Sequence, residues 1–342
     1  MLETTWFVLW GLLWAVYFVL DGFDFGMGTL LPFLAKNDEE KRIIYNAAGP
    51  YWDGNEVWLI TAGGVTFAAF PKAYAVMFSA LYAPLLILLF ALIFRAVSFE
   101  FRNKKDCPQW RKFWDACQFL GNFLPALLLG VAFANLFMGI PIDGNGVYHG
   151  NIIKLLNPYG LAGGIFFVLI FAMHGALWLA LKSEGDIHER AVGAAQVVWP
   201  LVLAVALLFL ALTAFYTNLY ANYAEHPTLL VFPILAVASL LTVRVMIWAD
   251  NLLGAWFFSA LFIITVTFFG VLGMYPGIII SSIDPAYSVT VFNGASSQLT
   301  LKIMLGVTLC CIPVVIAYQA WVYYTFAHKV TPESLQKDDH AY

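Results

Sequence analysis

The sequence predicts an all-α, polytopic integral membrane protein, on three observations. Hydrophobic residues make up 62% of the 342 and charged residues 11%, far from the quarter or so of charged residues in a soluble chain, and mean hydropathy is +0.80. Apolar runs of about 20 residues, enough to cross roughly 30 Å of hydrocarbon, recur along the whole chain. The connecting stretches, at most about 18 to 23 residues, are too short to fold as a soluble domain, so residues 1–342 read as one membrane domain with a short cytoplasmic tail at 328–342.

The expected spans are 6–30, 52–70, 74–95, 114–138, 158–181, 193–216, 228–248, 252–275 and 299–327. They suggest two four-helix bundles and one peripheral helix. The first span starts in "MLETTWF", which has no Lys or Arg of a signal-peptide n-region, and is expected to be its own insertion signal. The second is the weakest, because it opens on Asp53 and Glu56 and stops at Pro71; without it the count is eight. Loop charge favours nine. With the N-terminus outside and the C-terminus inside, only Lys72, Lys154 and Lys302 of the 17 Lys and Arg fall outside, as the positive-inside rule requires. Dropping the second span would move Lys36, Lys41 and Arg42 outside as well.

Glycines at 22, 26 and 28, at 63–64 and at 163–164 are expected where helices touch. The segment "PGIIISSIDPAYSVTVFNGASSQ", 276–298, reads as an outer loop with Gly, Pro and Ser breakers. It has the makings of a surface for a partner.

Polar groups inside the spans carry the functional signal. From Trp6 to Leu20 is 15 residues, about 22 Å of helix, so Asp21 and Asp24 fall within or just below the cytoplasmic membrane face. They lie three apart, on one helix face. An ionised Asp at mid-membrane costs roughly 2.5–3.5 kcal/mol on insertion scales, so a compensating group is expected. Asp53 and Glu56 begin the second span from the inside, and Arg95 ends the third on that side. We expect Arg95 to pair with one of these carboxylates while another takes up and releases a proton, making Asp21, Asp24, Asp53 and Glu56 candidates for the inner mouth of a proton path. A plainer alternative stands beside this: acids at a helix N-terminus are favoured by the dipole, and Trp52 and Trp58 can mark the interface.

Redox and metal centres find little support. Of the six His, His149, His188, His226, His328 and His340 fall in loops or at span ends. His174, in "FAMHGALWL", sits inside a span, where a hydrogen-bonded helix contact is the expected role. A low-spin haem takes two axial ligands such as His and His or His and Met, so a metal, if one is involved, is expected on a partner. Cys107, Cys117, Cys310 and Cys311 follow no metal or redox spacing. No metal ligand or cofactor-binding residue is assigned. Asn122, Asn135, Gln196, Asn293 and Gln298 can bridge helices, and carry no assigned chemistry.

"DGFDFGMG" at 21–28, "GPYWDGNEVWLITAGG" at 49–64, "FRAVSFEFR" at 94–102, "LNPYGLAGG" at 156–164 and "SSQLTL" at 296–301 together make the chain resemble subunit II of cytochrome bd quinol oxidase, from the first span to the last. The first two motifs are specific; the later ones alone are weak. The resemblance implies a respiratory quinol:oxygen oxidoreductase in the bacterial cytoplasmic membrane. It implies a similarly folded subunit I that holds the quinol site, two b-type haems and the d-type haem, and that oxygen is reduced to water with protons from the cytoplasm. It also implies a proton route through the "WDGNE" carboxylate, and transfers by position to Trp52, Asp53, Asp21, Asp24 and Arg95. A small single-helix subunit, lipids and a structural quinone are further partners it admits. Two other functions fit the residues alone: a proton-coupled secondary transporter, though without paired broken helices in matching halves, and a purely structural membrane partner.

Overall fold

The computed structural model describes residues 1–337 and 342. His340 and the stretch 338–341 of the expected tail lie outside the described residues, as do the side chains of Gln336 and Lys337. In chain order the helices are α1 (Leu2–Leu34), α2 (Asp38–Ala48), α3 (Trp52–Ala69), α4 (Pro71–Ala80), α5 (Tyr82–Phe101), α6 (Pro108–Met138), α7 (Ile152–Leu155), α8 (Pro158–Lys182), α9 (Gly185–Tyr216), α10 (Leu219–Glu225), α11 (Val231–Trp248), α12 (Leu252–Met274), α13 (Gln298–Thr325) and α14 (Pro332–Lys337).

Among the described residues, eight helices are long and apolar enough to cross a membrane: α1, α5 with the turn after it, α6, α8, α9, α11 with the turn before it, α12 and α13. The run at 52–70 is helical, as expected, but α3 is not among the eight. Asp53, Asn55 and Glu56 in its first turn hold its mean hydropathy down, so by length and composition the eight-helix count applies. The third expected span, 74–95, is broken at Leu81 and runs on to Phe101. Pro84 has no N–H to give the Ala80 carbonyl, and the ladder resumes when Leu85 N–H donates to Leu81 O at 2.8 Å. Arg95 therefore lies inside a helix rather than at its end.

Helix starts follow local chemistry. The Asn37 side chain caps α2 by accepting the Glu40 N–H at 2.8 Å, while Glu40 accepts the Lys36 N–H at 2.6 Å, a reciprocal arrangement close to a capping box. Asn157 caps α8 through the Gly160 N–H, with Pro158 at its first position, where the missing N–H is no loss. α9 begins eight residues before the expected 193, because the charged stretch from Gly185 is helical although not apolar. Arg190 there donates to Leu34 O at 2.9 Å and pairs with Glu40 at 2.5 Å.

The helices form two groups of four, α1, α3, α5 and α6 beside α8, α9, α11 and α12. They join where α1 packs on α8 and α12 and where α6 packs on α8. α13 lies outside both, touching α1 and α3; Leu301 is its one buried residue.

Glycines decide the closest crossing. A Cβ on Gly26 would stand 1.8 Å from the Phe171 carbonyl oxygen, and one on Gly175 2.5 Å from the Met27 nitrogen, so α1 and α8 meet backbone to backbone. Gly22, Gly28, Gly163 and Gly164 are also at contacts, as the sequence suggests. Gly63 and Gly64 are not: a Cβ would meet nothing closer than 4.0 Å at Gly63 and nothing within 4 Å at Gly64. They line an open apolar groove of about 670 Å³ between α3, α4, α5 and α6.

The loop at 276–298 folds onto its own chain. Strands β1 (Gly277–Ile279) and β2 (Val289–Thr290) pair antiparallel. Ile140 N–H donates to Ile280 O at 2.9 Å and Ser296 N–H to Ala69 O at 2.8 Å, which ties the loop to the ends of α6 and α3. The tail also docks: Val330 and Leu335 are buried, and Tyr342 O accepts from Arg42 Nε and Asn46 Nδ2.

Candidate functional site

The cytoplasmic-end acids expected from the sequence converge only in part. On α1, Trp6, Phe7, Trp10, Trp14, Tyr17 and Phe18 are buried while Val8 and Leu12 stay exposed, and the same packing carries Asp21 and Asp24 into the interior at 0% and 2% exposure. Arg95 on α5 is fully buried against them. Its Nη1 donates to Asp21 Oδ1 at 2.6 Å, and its Nη2 to Asp21 Oδ2 at 3.2 Å and to Glu56 Oε2 at 2.8 Å. One guanidinium thus holds two carboxylates, with the Phe25 ring 4.8 Å from its carbon. The Gly121 backbone on α6 lets this happen, since a Cβ there would come within 2.8 Å of the Arg95 backbone nitrogen.

Asp24 stands apart from that pair. Its Oδ2 accepts from Asn55 Nδ2 at 2.8 Å, and its Oδ1 has no hydrogen-bond partner. Glu56 is 24% exposed at its side chain, so it connects the buried Arg95 to the chain surface. Asp53 is not in the cluster; it is exposed, and its Oδ1 accepts the Gly54 N–H at 2.7 Å. Trp52 stacks on Phe99 at 5.1 Å and 4°.

Three participants went unassigned in the sequence. Asn55 sits between the two acids of "WDGNE", with 1% exposure. Its signal was available, as a third polar residue in the same turn. Tyr323 on α13 donates to Asn55 Oδ1 at 3.1 Å. Lys182, at the end of α8, is buried, donates to Tyr51 Oη and to His328 O, both at 3.0 Å, and also bonds Phe326 O. Sequence spacings of 144 and 268 residues left no local trace of these contacts.

A second ionic cluster joins α2, α5 and α6. Arg102, 1% exposed, donates to Asp115 Oδ1 and to Asp38 Oδ1, each at 2.6 Å, and Lys41 bonds Asp115 Oδ2 at 2.8 Å. Burial pushes the Asp38 carboxyl up, but the Arg102 hydrogen bond and charge, helped by Arg111 and Lys41, outweigh it and hold Asp38 below the usual carboxylate range. Glu40 is held low in the same manner by the Lys36 N–H and Arg190.

His174 is a helix contact. Its Nδ1 lies 2.6 Å from Ser259 Oγ and its Nε2 3.1 Å from Val19 O, and the ring stacks on Trp256 at 5.2 Å. The Val19 carbonyl can only accept, which fixes the proton on Nε2. Both nitrogens are engaged, so His174 does not fit an axial haem ligand. Among the described residues, no group of three or more His, Cys, Asp or Glu is arranged to hold a metal ion.

Fold and site define a polytopic helical membrane protein built around a buried arginine–carboxylate cluster. The family model for cytochrome bd terminal oxidase subunit II matches residues 2–326. Similar proteins include cytochrome bd ubiquinol oxidase subunit 2 of Bacillus subtilis, 37% identical with 96% of this chain and 97% of that one covered. Cytochrome bd-I ubiquinol oxidase subunit 2 of Escherichia coli is 35% identical, with 99% and 98% covered. A chain of the bd oxidase structure from Geobacillus thermodenitrificans shares the fold at a TM-score of 0.80, with 15% identity and 95% and 98% coverage. The chain belongs to the cytochrome bd terminal oxidase subunit II family.

Proposed function

We propose that this chain serves a quinol-oxidising, oxygen-reducing complex of the bacterial cytoplasmic membrane by stabilising a haem-bearing subunit I and by taking up cytoplasmic protons, without ligating haem itself. The observation that carries the proton role is Asp24, buried with one carboxylate oxygen unpartnered beside an Arg95 already engaged by Asp21 and Glu56. A buried acid that is not locked in an ion pair is the group free to gain and lose a proton. Asp53 at the surface and Glu56 at the edge supply an entrance, and Asp21 with Arg95 supplies a fixed charge that orients the path. Trp52 packs the entrance.

Haems b and d are assigned to the partner, in keeping with the engaged nitrogens of His174. Loop charge supports an N-terminus outside and a C-terminus in the cytoplasm, with the acids at the cytoplasmic end. The groove at Gly63 and Gly64 would suit a lipid or quinone tail, and a small single-helix subunit would find ample apolar surface on α13. A purely structural role remains the second reading, favoured by the complete bidentate pairing of Asp21 with Arg95.

The test is a reduced-minus-oxidised optical spectrum of the complex purified through a tag on this chain, beside the chain expressed without its neighbours. Haem b and d bands in the complex and none in the lone chain are expected. No haem in either sample would overturn the oxidase reading.

A further inference from the structure

Only 6% of the most apolar window of α13 is buried; Leu301, Met304, Leu305 and Ile312 pack on the core from its start to its middle, and its last third adds polar contacts. Gln319 and Tyr323, four apart and on one face, reach α3 together. Gln319 Oε1 accepts from Trp58 Nε1 at 3.1 Å, and its Nε2 donates to Gly54 O at 3.2 Å. Tyr323 donates to Asn55 Oδ1 at 3.1 Å, with its ring 4.7 Å from Tyr51 and edge-on to Trp178.

The Asn55 amide has a donor end and an acceptor end, and they are not interchangeable here. An ionised Asp24 only accepts, so the NH2 must face it, and the amide oxygen must then receive the Tyr323 hydroxyl. A protonated Asp24 can donate to Asn55 only if the amide turns over, which obliges Tyr323 to accept instead of donate. A proton arriving on Asp24 Oδ1, the unpartnered oxygen, engages the amide when the carboxyl turns to present its O–H to Asn55, on the side that Oδ2 now occupies.

We propose that Tyr323 positions the buried Asp24 carboxyl through the Asn55 amide, so that proton occupancy of Asp24 is coupled to the seating of α13 on α3. The functional consequence rests on the proton-uptake role proposed above; the coupling itself does not. The other titratable or charged groups that act on or feel Asp24 are Asp21 on α1, Glu56 on α3, Arg95 on α5 and Tyr51 before α3. None of them contacts the Asn55 oxygen that Tyr323 holds.

The experiment is infrared difference spectroscopy of the purified complex titrated between acid and alkaline pH, with quinol oxidase turnover measured on the same samples. The carboxyl band lost in Asp24→Asn identifies Asp24. In Tyr323→Phe, which keeps the ring stack, that band is expected to shift in frequency and turnover to fall about fivefold, the effect of one neutral hydrogen bond, at unchanged haem content. Asn55→Ala is expected to shift the same band at least as far. An Asp24 band that stays in place in both variants overturns the positioning role. A shifted band together with wild-type turnover in Asp24→Asn upholds the coupling and removes the proton-uptake role instead.

Discussion

Arg95 Nη1 lies 2.6 Å from Asp21 Oδ1, with both side chains fully buried. Separated by 74 residues in sequence, they tie α5 to α1 inside the folded chain, where an unpaired charge is costly. Removing one partner of such a pair costs roughly 3–5 kcal/mol, whereas replacing both by apolar groups is often neutral. Arg95→Leu is therefore expected to abolish assembly of the complex. Asp21→Leu with Arg95→Leu should recover more assembled complex than Arg95→Leu alone, measured by yield and thermal midpoint; a double variant no better than the single would show the pair is needed for more than charge balance.

The glycines give a contrast within one chain. Gly26→Ala must push a methyl into the Phe171 carbonyl, which is backbone and cannot yield, so loss of folded protein is expected. Gly64→Ala adds a methyl to open space and is expected to leave assembly unchanged. Equal expression and stability of the two variants would contradict the α1–α8 contact.

Lys182 binds Tyr51 Oη and the Phe326 and His328 carbonyls, clamping the chain just after α13. Lys182→Met keeps the apolar stem and removes the three donations. Hydrogen exchange at 326–330 should accelerate while the haem spectrum of the complex is unchanged. Exchange at the wild-type rate would show that the clamp does not hold that segment.

The α2 cluster sets an acid limit. Asp38 and Glu40 titrate below their unfolded values of about 3.9 and 4.3, so in the folded chain they stay ionised where the unfolded chain would take up protons. Their contribution is full above the unfolded values and is lost as pH falls through the lower folded ones. Exchange protection of α2 is expected to hold down to about pH 4.5 and to decline below it, and Arg102→Gln, which removes the cation that holds Asp38 low, should lower the protection above that pH and make its decline on acidification shallower. A decline as steep as that of the wild type in that variant would detach Asp38 from Arg102.

Most of the fold was legible because membrane solvation writes it locally: an apolar run must be helical. The ends of α8, α12 and α13 fall within two residues of the sequence expectation. The signal weakened where polarity and helix diverge, as in the charged start of α9, and where one proline broke a run, as at Leu81. In the site, Arg95 and the α1 acids were readable, because an intramembrane charge demands a partner. Asp53 and Glu56 looked equivalent from spacing, yet only Glu56 turns inward to Arg95. Tyr323 and Lys182 were not legible, since a Tyr on an apolar helix and a Lys at a helix end are ordinary until the chain closes over them.

The most direct test of the account is proton uptake by the complex reconstituted in vesicles, measured with a pH-sensitive dye on the cytoplasmic side during quinol oxidation, for wild type and Asp24→Asn at matched haem content. With Asp24 as the proton carrier, uptake and turnover fall together in Asp24→Asn and recover in part in Asp24→Glu. Wild-type uptake in Asp24→Asn would contradict this and leave the buried acids a structural role alone.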